Sequence, residues 1–150
     1  MPGEDGAVRY EGTCHCGAIG YSYCTRLEPG QWPIRACQCS FCRAHGARTT
    51  SDPAGLVEFH KREGARELRY RFARRTADYL LCGECGVYIG AVIDTEQGSF
   101  GIINVNALSR SPEGLAAPQA MVYDTETTEQ RVLRRVARWT PCGPIGSHGE

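Results

Sequence analysis

Seven of the nine cysteines fall into three short clusters, and this arrangement limits what the chain can fold into more than any other feature. Cys14-His15-Cys16-Gly17 is a Cys-x-Cys pair, and Cys37-Gln38-Cys39-Ser40-Phe41-Cys42 is a Cys-x-Cys-x-x-Cys triplet. Cys82-Gly83-Glu84-Cys85-Gly86 is a Cys-x-x-Cys pair followed by glycine. Spacings this short let two thiolates on one tight turn face a single ion, and the glycine permits the positive φ with which the chain turns back. Thiolate ligands favour Zn²⁺, bound tetrahedrally with sulfur at about 2.3 Å. Two pairs supply four ligands, so Cys14, Cys16, Cys82 and Cys85 can close a structural four-thiolate site whose metal contributes directly to folding. Cys37, Cys39 and Cys42 are left with three thiolates. Three protein ligands and one open position is the pattern of a catalytic zinc. The triplet could instead be a second structural site completed by His45 or His15, or an iron–sulfur site. Cys24 and Cys142 belong to no cluster: Cys24 reads as a small apolar residue in a strand, and Cys142 sits in the C-terminal tail.

A disulfide framework is the competing use of so many cysteines, and the start of the chain argues against it. Met1-Pro2-Gly3-Glu4-Asp5-Gly6 has neither a basic nor an apolar region of the kind a secretory signal requires. No stretch approaches the roughly 20 apolar residues of a membrane span. The expected location is therefore the cytoplasm, with no membrane partner, where closely spaced cysteines serve metal or redox chemistry. Charge is balanced, with 17 Lys+Arg against 17 Asp+Glu, which excludes nucleic-acid binding through bulk positive charge. Lys61 is the only lysine; this bias suits carboxylate and phosphate capture but also follows from high-GC codon usage.

The length, 150 residues, suits one domain. Residues 1–6 read as a disordered lead-in, 7–140 as a single zinc domain, and the Pro- and Gly-rich 141–150 as a flexible tail. The domain reads as mainly β. Ile19–Tyr23 and Leu68–Phe72 alternate as half-buried strands, and Val87–Ile93 and Phe100–Val105 form a hairpin with a longer loop at Asp94–Ser99. Ala120–Tyr123 could add a strand. Helix is scarce: Thr127 and Gln130 fit a capping box, and Val132, Leu133, Val136 and Trp139 form one face of a short helix against a sheet.

Taken together, Gly12-x-Cys14-His15-Cys16-Gly17-Ala18-Ile19, Cys37-x-Cys39-Ser40-x-Cys42-Arg43, Tyr79-Leu80-Leu81-Cys82-x-x-Cys85-Gly86 and, more loosely, Asn104-Val105-Asn106-Ala107-Leu108 are similar to a known family. The chain resembles the glutathione-dependent formaldehyde-activating enzymes, a family that also includes centromere protein V, over roughly residues 8–140. The resemblance implies a β-tent fold of antiparallel sheets pinned by zinc. It implies two zinc ions, a structural one on Cys14, Cys16, Cys82 and Cys85 and a catalytic one on Cys37, Cys39 and Cys42. It also implies carbon–sulfur lyase chemistry on a small thiol/aldehyde adduct of the S-hydroxymethylglutathione type, with glutathione or another thiol as co-substrate.

An open zinc could hold a substrate thiol as thiolate or polarise a carbonyl. Three thiolates leave the ion a net charge of −1, which weakens Lewis acidity and favours thiol handling. Arg43 follows the triplet directly and is a candidate to offset that charge or bind a substrate carboxylate, against the alternative of a plain surface arginine. His45 could be a base or fourth ligand, but reads more simply as a loop residue; His60 reads as a strand residue. His15 should point away from the first ion, and Glu84 is expected to be a solvated turn residue. The main alternative function is a non-catalytic zinc-binding module that contacts protein or chromatin, for which the chain lacks a basic tail: Arg74-Arg75 and Arg134-Arg135 are isolated doublets. Thiol redox chemistry would need Cys24 or Cys142 as nucleophile, and neither has a visible activating partner. Exposed strand edges make a homodimer an expectation as well.

Overall fold

Val8–Thr13 (β1) and Ile19–Thr25 (β2) form an antiparallel hairpin whose turn carries the first cysteine pair. The computed structural model describes residues 6–73, 75–143 and 146–148, so the lead-in expected at 1–6 lies outside the described residues except for Gly6. Leu56–Arg62 (β5) pairs with β2 on its other side, and Gly146–His148 (β12) pairs with β5 to complete a four-stranded sheet in the order β1-β2-β5-β12. Because β2 is flanked on both sides, Gly20 and Ser22 are buried together with Ile19, Tyr21 and Tyr23. The alternation in its sequence marks small against large residues here, not exposed against buried.

The second sheet contains Arg35–Cys37 (β3), Thr49–Thr50 (β4), Glu67–Tyr70 (β6), Asp78–Cys82 (β7), Tyr88–Thr95 (β8), Gly98–Asn104 (β9) and Gln119–Met121 (β10). Their order is β10-β3-β4-β9-β8-β7-β6, and Thr140–Pro141 (β11) pairs with β9. The protein is thus mainly β, as its sequence implies. Pairing is antiparallel except for β10 with β3 and β12 with β5, which are parallel. The β8–β9 hairpin is tighter than its sequence suggests. Asp94 pairs with Ser99 and Thr95 with Gly98, leaving a two-residue turn that Thr95 closes by donating to the Gly98 carbonyl at 2.9 Å. The Leu68–Phe72 stretch supplies an edge strand, with Leu68 and Tyr70 about half exposed.

The two sheets share one core. Tyr21, Tyr23, Val57 and Phe59 from the first pack with Leu80, Ile89, Val92 and Ile103 from the second. The Tyr21 hydroxyl donates to the Asn104 carbonyl at 2.8 Å, which ties β2 to β9. Trp32 stands edge-on to Tyr10 and Tyr23, with ring centroids at 4.9 and 5.5 Å. Such pairs contribute about 0.5–1.5 kcal/mol each beyond area burial.

Among the described residues, two α-helices join the sheets. Thr128–Arg138 (α2) opens with the expected capping box: Thr127 Oγ1 accepts from the Gln130 N–H at 3.1 Å, and the Gln130 side chain accepts from the Thr127 N–H at 2.9 Å. Trp139 and Val132 pack on Ala91, Ile93 and Ile102 across the face of the second sheet that points away from the shared core. Leu133, expected on the packed face, is 68% exposed, and Arg135 takes the buried position at 5%. Ser40–His45 (α1) is a single short helix that the sequence pattern does not announce. Pro141, Cys142 and Gly143, read from the sequence as the start of the tail, are held in place: Pro141 pairs in β11, and the next two residues make backbone hydrogen bonds. The Cys142 N–H donates to the Ser99 carbonyl at 2.9 Å and the Gly143 N–H to the Val57 carbonyl at 2.8 Å. Residues 144, 145, 149 and 150 of that segment lie outside the described residues.

Candidate metal centres

Both cysteine pairs sit on hairpin turns, one from each sheet. In the β1–β2 turn, the Gly17 N–H returns to the Cys14 carbonyl at 3.2 Å and Gly17 adopts φ 83°. In the β7–β8 turn, the Gly86 N–H returns to the Cys82 carbonyl at 2.9 Å and Gly86 adopts φ 82°. A side chain would be strained at these positive angles, so the glycine after each pair is a steric requirement of the turn. Backbone N–H groups also face the sulfurs: Ile19 donates to Cys14 Sγ at 3.3 Å, and Glu84 to Cys82 Sγ at 3.3 Å. The same donation supports thiolates.

The sulfurs of Cys14, Cys16, Cys82 and Cys85 all lie within 4.8 Å of one another. A tetrahedral ion with sulfur at about 2.3 Å has sulfur–sulfur edges near about 3.8 Å. Cys14 and Cys16 are 3.8 Å apart and Cys16 and Cys82 are 3.6 Å apart, so this set fits zinc. His15 and Glu84, which stand inside the two pairs, are both exposed. Glu84 forms an ion pair with Arg66 at 3.5 Å.

The triplet is assembled differently. Cys37 ends β3, Cys39 caps α1 and Cys42 is buried inside it. Cys39 Sγ accepts from the Cys42 N–H at 3.4 Å, and Gly46 closes the helix in the left-handed region at φ 57°. The cap that a Ser or Asp would normally provide is here a cysteine, which is why the helix is hard to see in the sequence. The three sulfurs lie within 4.8 Å of one another. Hydrogen bonds from Cys37 and Cys42 hold the Cys39 thiol well below the usual thiol range, whereas contact with Cys39 pushes Cys37 up and contact with Cys37 and Cys39 pushes Cys42 up. Thiols this close resist ionising together, and a bound cation would relieve that repulsion. The donor set again fits a soft divalent metal.

The two sulfur sets differ in surroundings. Cys37 and Cys39 open onto a cavity of about 320 Å³, and Cys37 and Cys42 onto an adjoining space of about 50 Å³. Phe72, Tyr79 and Tyr123 form an aromatic wall of the larger cavity, and Arg131, Arg134 and Arg135 of α2 line it from another side. Phe41 extends the aromatic wall, with its ring centroid 5.1 Å from Phe72 and 5.0 Å from Tyr79. Among the described residues, no histidine or carboxylate joins either sulfur set. His45 is exposed at the end of α1, its ring 4.6 Å from Phe41, and Arg43 is exposed on α1 and does not line the cavity. His60 lies in β5 and Cys24 in β2, as read from the sequence. None of the nine cysteines is paired in a disulfide.

The α2 arginines carry no motif that marks them as site residues in the sequence. A signal was nevertheless present: Arg131 and Arg135 are four apart, in phase with Val132 and Trp139, so they share the helix face turned toward the sheet.

The molecule is therefore a mainly β protein with two cysteine clusters able to hold metal ions, one joining two hairpins and one at the wall of a cavity. Residues 9–126 match the glutathione-dependent formaldehyde-activating enzymes, and the chain belongs to that family. A crystal structure of a Rhodobacter sphaeroides protein, a structural-genomics target, is similar at 27% identity over 73% of this chain and 99% of that one, with a TM-score of 0.49. Among the described residues, no helix is long and apolar enough to cross a membrane.

Proposed function

We propose that the protein is a zinc-dependent carbon–sulfur lyase acting on a small thiol/aldehyde adduct of the S-hydroxymethylglutathione type. The observation that carries this reading is the position of the triplet: Cys37, Cys39 and Cys42 converge at the wall of a cavity large enough for a small-molecule substrate. Family membership supports it, since the matched family is one of formaldehyde-activating enzymes that depend on glutathione. In this reading Cys14, Cys16, Cys82 and Cys85 hold a structural ion that joins the two sheets. Zinc on the three remaining thiolates would supply an open coordination position that takes the substrate sulfur as thiolate.

The protein residues then orient the adduct. Phe72, Tyr79 and Tyr123 give the cavity an apolar side against which the substrate carbon skeleton packs. Burial pushes the Tyr79 phenol up, so it stays protonated at neutral pH and serves as a hydrogen-bond donor within the cavity. In the lyase direction the C–S bond breaks with its electron pair passing to sulfur. The oxygen lone pair forms the carbonyl of the aldehyde, and the hydroxyl proton goes to water. The reverse direction joins aldehyde and thiol. Closely spaced cysteines that serve as metal ligands suit a reducing compartment and support a cytoplasmic location.

The test is exchange spectroscopy on ¹³C-formaldehyde mixed with glutathione. The zinc-loaded protein is expected to accelerate exchange between free formaldehyde and its glutathione adduct above the uncatalysed rate. No acceleration with glutathione or with smaller thiols would contradict the reading.

A further inference from the structure

Among the α2 arginines that line the cavity, one stands without a counter-charge. Arg134 makes a two-pronged pair with Glu126, at 2.7 and 3.0 Å, and stacks over the Tyr123 ring at 3.7 Å. Arg131 shares Glu126 at 3.4 Å and donates to the Tyr123 carbonyl at 2.8 Å. Arg135 is the most buried of the three, at 5% exposure, and among the described residues no carboxylate oxygen lies within 4.0 Å of its guanidinium. Among the described residues it donates only to neutral oxygens, Thr76 Oγ1 at 2.6 Å and the Tyr79 hydroxyl at 3.4 Å, its guanidinium lies 4.8 Å from the Trp139 ring centroid, and its buried Nε has no acceptor. Arg35 repeats the pattern on the adjoining space. Burial holds it below the usual arginine range, and among the described residues its side-chain hydrogen-bond partner is Ser51 Oγ at 2.9 Å.

Burying a guanidinium without an anion is strongly unfavourable, and the penalty is relieved when an anion arrives. A planar guanidinium with an unused donor suits a carboxylate, which it can grip through two parallel hydrogen bonds. The cavity lined by Arg135 is the one onto which Cys37 and Cys39 open. A ligand held there can therefore present sulfur at the triplet and a carboxylate at the helix. The family match ends at residue 126, before α2 begins, so this cation comes from outside the matched segment.

We propose that Arg135 is a specificity-determining residue that binds a carboxylate of the substrate, making this protein selective for anionic thiols; the proposal rests on the thiol-adduct reading of the same cavity. The competing role for Arg135 is to balance the negative charge of the sulfur cluster, which would not distinguish a substrate acid from its ester.

The experiment uses S-methylglutathione and its dimethyl ester as probes, with calorimetry on the zinc-loaded protein and on Arg135→Gln and Arg135→Lys. Neither probe has a free thiol, so binding is read independently of turnover. The wild type is expected to bind the diacid about 10- to 100-fold more tightly than the diester, and Arg135→Gln to erase that preference with zinc content unchanged. Arg135→Lys should retain part of it. As a check that needs no variant, the Arg135 Nε–H resonance of the wild type should shift downfield with the diacid and not with the diester. Equal binding of acid and ester, an unmoved Nε–H, or a preference that survives in Arg135→Gln would overturn the inference. Turnover that accepts acid and ester adducts equally would overturn it while leaving the lyase reading intact. Selective binding of the diacid without turnover would support the subsite and contradict the lyase reading.

Discussion

Cys16 Sγ lies 3.6 Å from Cys82 Sγ, although the two residues are 66 positions apart and belong to hairpins of different sheets. A metal at this point closes a loop longer than a third of the chain, and its binding free energy acts as folding free energy.

Removing a ligand there should therefore cost the fold. Cys82→Ser is expected to lose the metal of the hairpin site and to abolish cooperative thermal unfolding, measured by circular dichroism, because Cys82 is 1% exposed and its sulfur faces those of Cys14 and Cys16 on the other turn. Prolonged chelation of the wild type should give the same unfolded spectrum. A Cys82→Ser protein with the wild-type melting temperature would contradict a structural role for this site.

A second expectation concerns the contact between the sheets. A Cβ on Gly90 would stand 2.4 Å from the Ile102 carbonyl oxygen and 2.9 Å from the Phe59 ring, and neither backbone nor buried ring can yield cheaply. Gly90→Ala is expected to destabilise by about 1–3 kcal/mol, as overpacking does. For a chain of this length that is a fall of roughly 2–4 °C per kcal/mol in Tm. Zinc content should be unchanged.

Asp78 gives a pH-dependent expectation. Partial burial pushes its carboxyl up, but hydrogen bonds and charge from Arg71 and Arg69 outweigh this and hold it below the usual carboxylate range. A carboxyl depressed in the folded state stabilises above its unfolded pKa of about 3.9, and that contribution fades as pH falls through the folded value. Asp78→Asn should therefore be less stable than wild type at pH 7, by up to about 1 kcal/mol given the exposed arginines. The gap, read from urea unfolding, should close once the pH falls below about 4 and on through the folded value. A gap that persists undiminished in strong acid would place the effect in packing instead.

The sequence foreshadowed the cysteine groups more fully than the architecture. Cysteine spacing alone separated a set of four sulfurs from a set of three, as the structure groups them, because turn geometry is local and each pair lies within four residues. The hairpin at Asp94–Ser99 and the helix after Thr127 were legible for the same reason, since turn and capping signals are short-range. Helix α1 escaped because its cap is Cys39, a residue that carries no helix-start signal outside a metal site. Hydrophobicity puts Leu133 on the packed face, yet the buried position is taken by Arg135, whose guanidinium lies over the Trp139 ring and donates to Thr76 and Tyr79. Periodicity marks which residues share a face; only the tertiary structure shows that this face borders a cavity.

The central claim is that the triplet is a separate zinc site open to substrate. Metal stoichiometry by elemental analysis, on wild type and Cys39→Ala prepared without chelator, tests it most directly. Two zinc ions in the wild type, falling to one in a folded Cys39→Ala that no longer accelerates formaldehyde–glutathione exchange, is the expected result. A single zinc in both proteins, or unfolding of Cys39→Ala, would contradict the division of the seven cysteines into a structural set and an open one.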